Sequence, residues 1–230
     1  MKTIIIDNHA CHILNNTDKE NIIYWGIQPD GKSQAEKVNA ELQKILKNKP
    51  YTVVAYEVSD WFADFSPWQA PAAFGNTDFK GCGKNTLSWL EEKCIPEIER
   101  QLNLSSPRRT IAGYSLSGLF SLWALYESNL FYGAISCSGS LWFQGWKEYI
   151  TTHSISNPAD VYLSLGTKEE KTNNPVISSV GDMTRIQYGI LAADKNIQNC
   201  VLEWNPGGHF NNPEQRIATG IAWTLSQRQK

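Results

Sequence analysis

The chain has 230 residues, of which 41% are hydrophobic and 19% charged, with a formal net charge of −2. That length fits one large domain or two small ones and can bury a substantial core, and the composition is that of a soluble globular protein, not a disordered one. The scattered lysines and arginines argue against phosphate-backbone binding as the main task. No apolar run approaches the roughly 20 residues of a membrane helix, so neither nucleic acid nor membrane is an expected partner.

The N-terminus, MKTIIIDNH, carries three isoleucines before Asp7. This run is shorter than the roughly 7 to 15 residues of a signal-peptide core, and the expected location is the cytoplasm. Thr3 to Ile6 and His12 to Leu14 read as short antiparallel edge strands. Asn21 to Ile27 (NIIYWGI) reads as a buried strand, and Gln34 to Leu46 puts Val38, Leu42, Ile45 and Leu46 on one helical face. Tyr51 to Val58 is the next strand, and Asn85 to Leu102 the next helix, with Pro96 a candidate kink.

Arg109 to Ala112 is then a strand and Leu116 to Tyr126 a helix. Strands at Tyr132 to Cys137, Asp160 to Leu165 and Cys200 to Trp204 follow, with helices at Met183 to Ala193 and Pro213 to Leu225. The alternation predicts an α/β fold: a mostly parallel twisted sheet covered by helices on both faces. No repeat or linker divides the chain, so one domain over 1–230 is expected.

In such sheets ligands sit outside the carboxyl ends of the strands. Gly113-Tyr-Ser115-Leu-Ser117-Gly118 lies between a strand and a helix, the setting of a nucleophile elbow, although Ser117 stands where Gly-x-Ser-x-Gly has its last glycine. The same serine could instead cap the helix. Of four histidines, His209 lies in the glycine-rich turn after the last strand (NPGGHFN), where a base could reach Ser115. The acid belongs between them in chain order. Glu169 and Glu170, just past a strand's carboxyl end, are the candidates, with Glu169 favoured; Asp160, Asp182, Asp194 and Glu203 are less well placed.

Other patterns lack chemistry. Gly81-Cys-Gly-Lys-Asn-Thr resembles a phosphate loop, but Asp78 and Asn85 occupy two of its defining positions. His9-Ala-Cys11-His12 is too cramped for a metal set, and five dispersed cysteines suggest free thiols. No metal and no organic cofactor is expected.

Several blocks together (IIYWGI, DFSPWQAP, IAGYSLSG, SGSLWF, SLGTKEEKTNNPV and PGGHF) resemble an esterase family of α/β-hydrolases that takes in esterase D-like, feruloyl and siderophore esterases. The resemblance runs from about Ile22 to Leu225 and implies an α/β-hydrolase fold with shortened N-terminal strands. It implies Ser115 as nucleophile, His209 as base and Glu169 as acid, by the spacing from Gly166. It also implies an oxyanion hole from the backbone N–H groups of Leu116 and Ile27. Two departures stand out: Ser117 in the elbow, and the absence of a His-Gly pair after Gly26.

Nine tryptophans need burial. Trp61, Phe62, Phe65 and Trp68 form one group and Trp142, Phe143 and Trp146 another, at sheet edges where Trp68 and Trp142 could line an acyl pocket. They could equally pack a cap or bury a homodimer contact. The expected activity is hydrolysis of a small-molecule carboxylic ester through an acyl-enzyme. The alternatives are a hydrolase-fold binding protein without turnover, or acyl transfer or amide cleavage by the same nucleophile.

Overall fold

The computed structural model describes residues 1–227. The chain begins with a hairpin of β1 (Lys2–Ile6) and β2 (His9–Asn16), paired antiparallel. Its two turn residues, Asp7 and Asn8, both have positive φ, as a two-residue hairpin turn requires. Both strands are longer than the pattern suggested, because their polar outer positions hide the pairing from a reading of apolar runs.

β3 (Asn21–Ile27), α1 (Lys32–Leu46) and β4 (Thr52–Glu57) follow. The short α2 (Trp61–Asp64) is capped by the Asp60 carboxylate, which accepts from the backbone N–H groups of Phe62 and Ala63. A two-residue ladder of β5 (Gln69–Ala70) and β6 (Phe79–Lys80) then leads to α3 (Gly83–Trp89). The helix expected over 85–102 is broken at a wide π-turn, Leu90–Cys94, before α4 (Ile95–Leu102). Pro96 sits in the first turn of α4, directly after the π-turn, in a helix that continues through both. The irregularity therefore precedes the proline.

β7 (Arg108–Tyr114), α5 (Leu116–Glu127), β8 (Phe131–Cys137), α6 (Trp146–Thr152) and β9 (Ala159–Gly166) come next. After them run α7 (Pro175–Ser178), α8 (Val180–Ala193), β10 (Ile197–Asn205) and α9 (Pro213–Ser226). One eight-stranded sheet has the order β1-β2-β4-β3-β7-β8-β9-β10. The strands from β4 to β10 in that order run parallel, and β1 and β2 add an antiparallel edge. The fold is that of an α/β-hydrolase.

Alternation along β3 sorts the core. Ile23, Trp25 and Ile27 face α1 and α9, while Ile22 and Tyr24 face the layer of α3, α4 and α5. α5 is buried almost all round from Leu116 to Leu125, as its uniformly apolar sequence demands. The chain builds outward from β3 to β4, then returns to place β7 on the other side of β3. The carboxyl ends of β7, β8, β9 and β10 consequently converge at one edge of the sheet.

Candidate active site

Gly113 and Ser117 make the turn at the end of β7. A Cβ on Gly113 would lie 2.0 Å from the Ser117 carbonyl oxygen, so strand and helix approach closely enough only around a glycine. Ser117 does more than stay small. Its buried hydroxyl accepts from the Tyr114 N–H at 2.9 Å and donates to the Tyr114 carbonyl at 3.0 Å, closing the turn on itself. Ser115 is left between them with φ 58° and ψ −122°, a conformation that L-residues rarely adopt. Its N–H donates to the Cys137 carbonyl and its carbonyl accepts from the Ser140 N–H, so the end of β8 and the loop after it hold both of its backbone groups.

The Ser115 hydroxyl lies 3.0 Å from His209 Nε2, and His209 Nδ1 lies 2.8 Å from Glu169 Oε2. An ionised carboxylate only accepts, so Nδ1 carries a proton and Nε2 is free to take one from Ser115. Burial opposes ionisation of Glu169, but bonds from His209, Ser138 and the Gly166 N–H outweigh it and hold the carboxyl below the usual range. Between the two candidate acids, Glu169 meets His209; Glu170 instead pairs with Arg185 at the surface. Asp160 is engaged by Arg108 and Glu203 by the Tyr162 hydroxyl, while Asp182 is exposed on α8 beside Arg185 and Asp194 caps that helix.

The loop carrying His209 is tied to the rest of the site. The Lys168 N–H donates to the Gly207 carbonyl, and the Asn211 side chain accepts from the Gly208 N–H. The Tyr114 hydroxyl donates to the His209 carbonyl at 2.5 Å, and the two rings meet edge to face. Burial pushes the Tyr114 phenol up to about 12, which keeps it a donor.

Arg216, from the first turn of α9, gave no signal in the sequence. It is 4% exposed and reaches Glu169, Ser138, Tyr114 and the carbonyls of Pro206 and Gly208. Phe210 is the neighbour of His209 in the chain. It is 90% exposed and stands edge-on to the His209 ring.

Leu116 begins α5, so its N–H belongs to the four helical donors without an intrahelical acceptor. Ile27 ends β3, the strand beside β7, and its carbonyl accepts from the Val58 N–H. Trp68 donates its indole N–H to the Gln144 carbonyl and stacks on Trp146 in a packed aromatic layer. Trp142 packs edge-on to Phe74 and beside Phe79. It lies two residues after Ser140, whose hydroxyl is 3.5 Å from that of Ser115. His12 pairs with Glu57 and Thr3, while Cys11 faces Cys94 in the core, so the HACH run is divided between two faces.

The family described as "Putative esterase" matches residues 19–211. The chain belongs to this family. Among relatives of this esterase-family chain, the Bacillus subtilis uncharacterized protein YbbA is 31% identical over 129 residues, 54% of this chain and 52% of YbbA. The B. subtilis ferri-bacillibactin esterase BesA is 27% identical over 155 residues, 63% of this chain and 52% of BesA. The chain thus spans about half the length of the curated relatives it matches. The siderophore hydrolase EstA from Aspergillus nidulans superposes with a TM-score of 0.76 at 16% identity, over 99% of this chain and 94% of EstA. Among the described residues no helix is long and apolar enough to cross a membrane.

Proposed function

We propose that this protein is a serine esterase that cleaves a carboxylic ester through an acyl-enzyme. The observation that carries the reading is the unbroken relay from the Ser115 hydroxyl through His209 to Glu169. His209 Nε2 takes the Ser115 proton as Oγ attacks the ester carbonyl, and Glu169 stabilises the imidazolium that forms. The oxyanion is received by the N–H groups of Leu116 and Ile27, backbone donors that need no rearrangement as charge develops. His209 then protonates the leaving alcohol. Water, deprotonated by His209, attacks the acyl-enzyme and releases the acid.

The strained backbone at Ser115 supports turnover over a binding-only role, since a serine that merely capped a helix would need no such conformation. The substrate class is taken from BesA: a bulky ester of the siderophore kind, with the exposed Phe210 ring as a platform beside the reacting centre. A panel of p-nitrophenyl and siderophore-type esters tests the reading. Wild type is expected to turn over at least one, and Ser115→Ala none while remaining folded. Equal activity in the two proteins overturns it.

A further inference from the structure

Arg216 is a charged side chain at the wrong end of a helix. It lies in the first turn of α9, where the helix dipole disfavours a cation, and it is removed from solvent. A buried charge persists only with compensation, and the surroundings show where that comes from. Nη1 lies 3.0 Å from Glu169 Oε1, 2.8 Å from the Ser138 hydroxyl and 3.2 Å from the Tyr114 hydroxyl. Nη2 lies 3.1 Å from the Gly208 carbonyl and 3.4 Å from that of Pro206. Ser138 in turn donates to Glu169 Oε1 at 2.6 Å, and Tyr114 to the His209 carbonyl.

One guanidinium therefore touches the acid, the loop that carries the base, and two side chains that brace them. The packing leaves no slack, since a Cβ on Gly166 would lie 2.8 Å from Glu169 Oε1 and 3.0 Å from Arg216 Nη2. We propose that Arg216 is a positioning residue of this site: it fixes Glu169 Oε1 so that Oε2 alone faces His209, and clamps the His209 loop to the acid. The proposal rests on the serine-esterase reading above.

Its charge gives the role a signature that packing alone lacks. Of the titratable groups around Arg216, Glu169 from the turn after β9 and Tyr114 from β7 bond to the guanidinium, Cys137 from β8 donates to the Arg216 carbonyl, and His209 meets the other carboxylate oxygen of Glu169. Burial pushes Tyr114 and Cys137 each up to about 12, so both stay neutral across the pH range of the assay. A fixed positive charge beside Glu169 opposes protonation of its carboxylate. Without it Glu169 takes up a proton more readily, and the acid limb of kcat/KM moves to higher pH.

The test compares wild type, Arg216→Met and Arg216→Lys with p-nitrophenyl acetate across pH, with circular dichroism reporting the fold and a fluorophosphonate probe reporting Ser115. Arg216→Met is expected to lose about 10- to 100-fold in kcat with KM nearly unchanged, as for reacting groups held out of register. Its acid limb should rise by about one pH unit. Arg216→Lys should keep the limb near wild type yet stay below wild type in kcat, because one ammonium cannot span Glu169 and the loop carbonyls together. If wild type does not label, the serine reading fails and the Arg216 role with it. If wild type labels and a folded Arg216→Met keeps wild-type kcat and pH profile, the Arg216 role alone is overturned. If Arg216→Met does not fold, Arg216→Lys decides, and wild-type kcat in that variant overturns the clamp.

Discussion

Glu169→Gln separates the contributions that meet at the acid. The carboxylate accepts from His209, Ser138, the Gly166 N–H and Arg216 at 2.8, 2.6, 2.6 and 3.0 Å. Glutamine can keep its amide oxygen on the Ser138 side, but Arg216 then holds a buried charge with no counter-ion. Breaking a buried pair in this way costs about 3 to 5 kcal/mol, and the retained amide oxygen places the expectation near 3. The amide nitrogen would face His209 Nδ1 and donate to it, forcing the ring proton onto Nε2 and removing the acceptor for Ser115. A wrong-tautomer imidazole lowers kcat by about ten-thousandfold.

Because folding depresses the Glu169 carboxyl, its stabilising contribution is fully present above the unfolded value of about 4.3 and is lost as pH falls through the folded value. The stability difference between wild type and Glu169→Gln should therefore narrow as pH falls from 7 towards 3. Urea unfolding over that range and steady-state kinetics at pH 7 measure both effects. Glu170→Gln is the control, since its pair with Arg185 is at the surface and worth about 0.5 kcal/mol or less. A Glu169→Gln protein within about 0.5 kcal/mol of wild type, with activity close to wild type, would refute the account of the acid.

Three further outcomes follow from local geometry. Ser117→Ala should cost about 1 to 3 kcal/mol in urea unfolding, because it strands the Tyr114 N–H and carbonyl in a buried turn; an unchanged midpoint contradicts this. Gly113→Ala should fail to give a folded soluble protein, since the new methyl would overlap the Ser117 carbonyl; a folded, active variant refutes the close approach. Phe210→Ala should leave stability unchanged and raise KM for aromatic esters by roughly tenfold, the loss of about 1.5 kcal/mol of ring contact. Equal KM values for wild type and variant would show that the ring does not meet substrate.

Ser115, His209 and Glu169 were legible in the sequence because each follows a strand's carboxyl end, and parallel strands bring those ends together. Glu169 and Glu170 could be ranked by position but differ decisively only in three dimensions, where one faces inward to His209 and the other outward to Arg185. Arg216 was invisible for the opposite reason. Helical periodicity marks the apolar face of α9, and a single arginine in its first turn reads as a solvated residue until Glu169 arrives from another loop. Ser117 looked like a tolerated departure from the glycine of the elbow, whereas its hydroxyl closes the turn. Pro96 pointed to an irregularity within this helix but not to the π-turn just before it, which leaves apolar spacing nearly intact. Trp68 sits in the aromatic packing layer, one of the fates its sequence allowed, and Trp142 packs against Phe74 and Phe79.

The proposed chemistry depends on Ser115 being an activated nucleophile. Intact-mass analysis after exposure to a fluorophosphonate, with the adduct mapped by peptide fragmentation, tests it most directly. One adduct is expected on wild type, located on Ser115, with none on Ser115→Ala and much slower labelling of Glu169→Gln. A wild-type protein that takes up no label, or a Ser115→Ala protein that labels as wild type does, would contradict it.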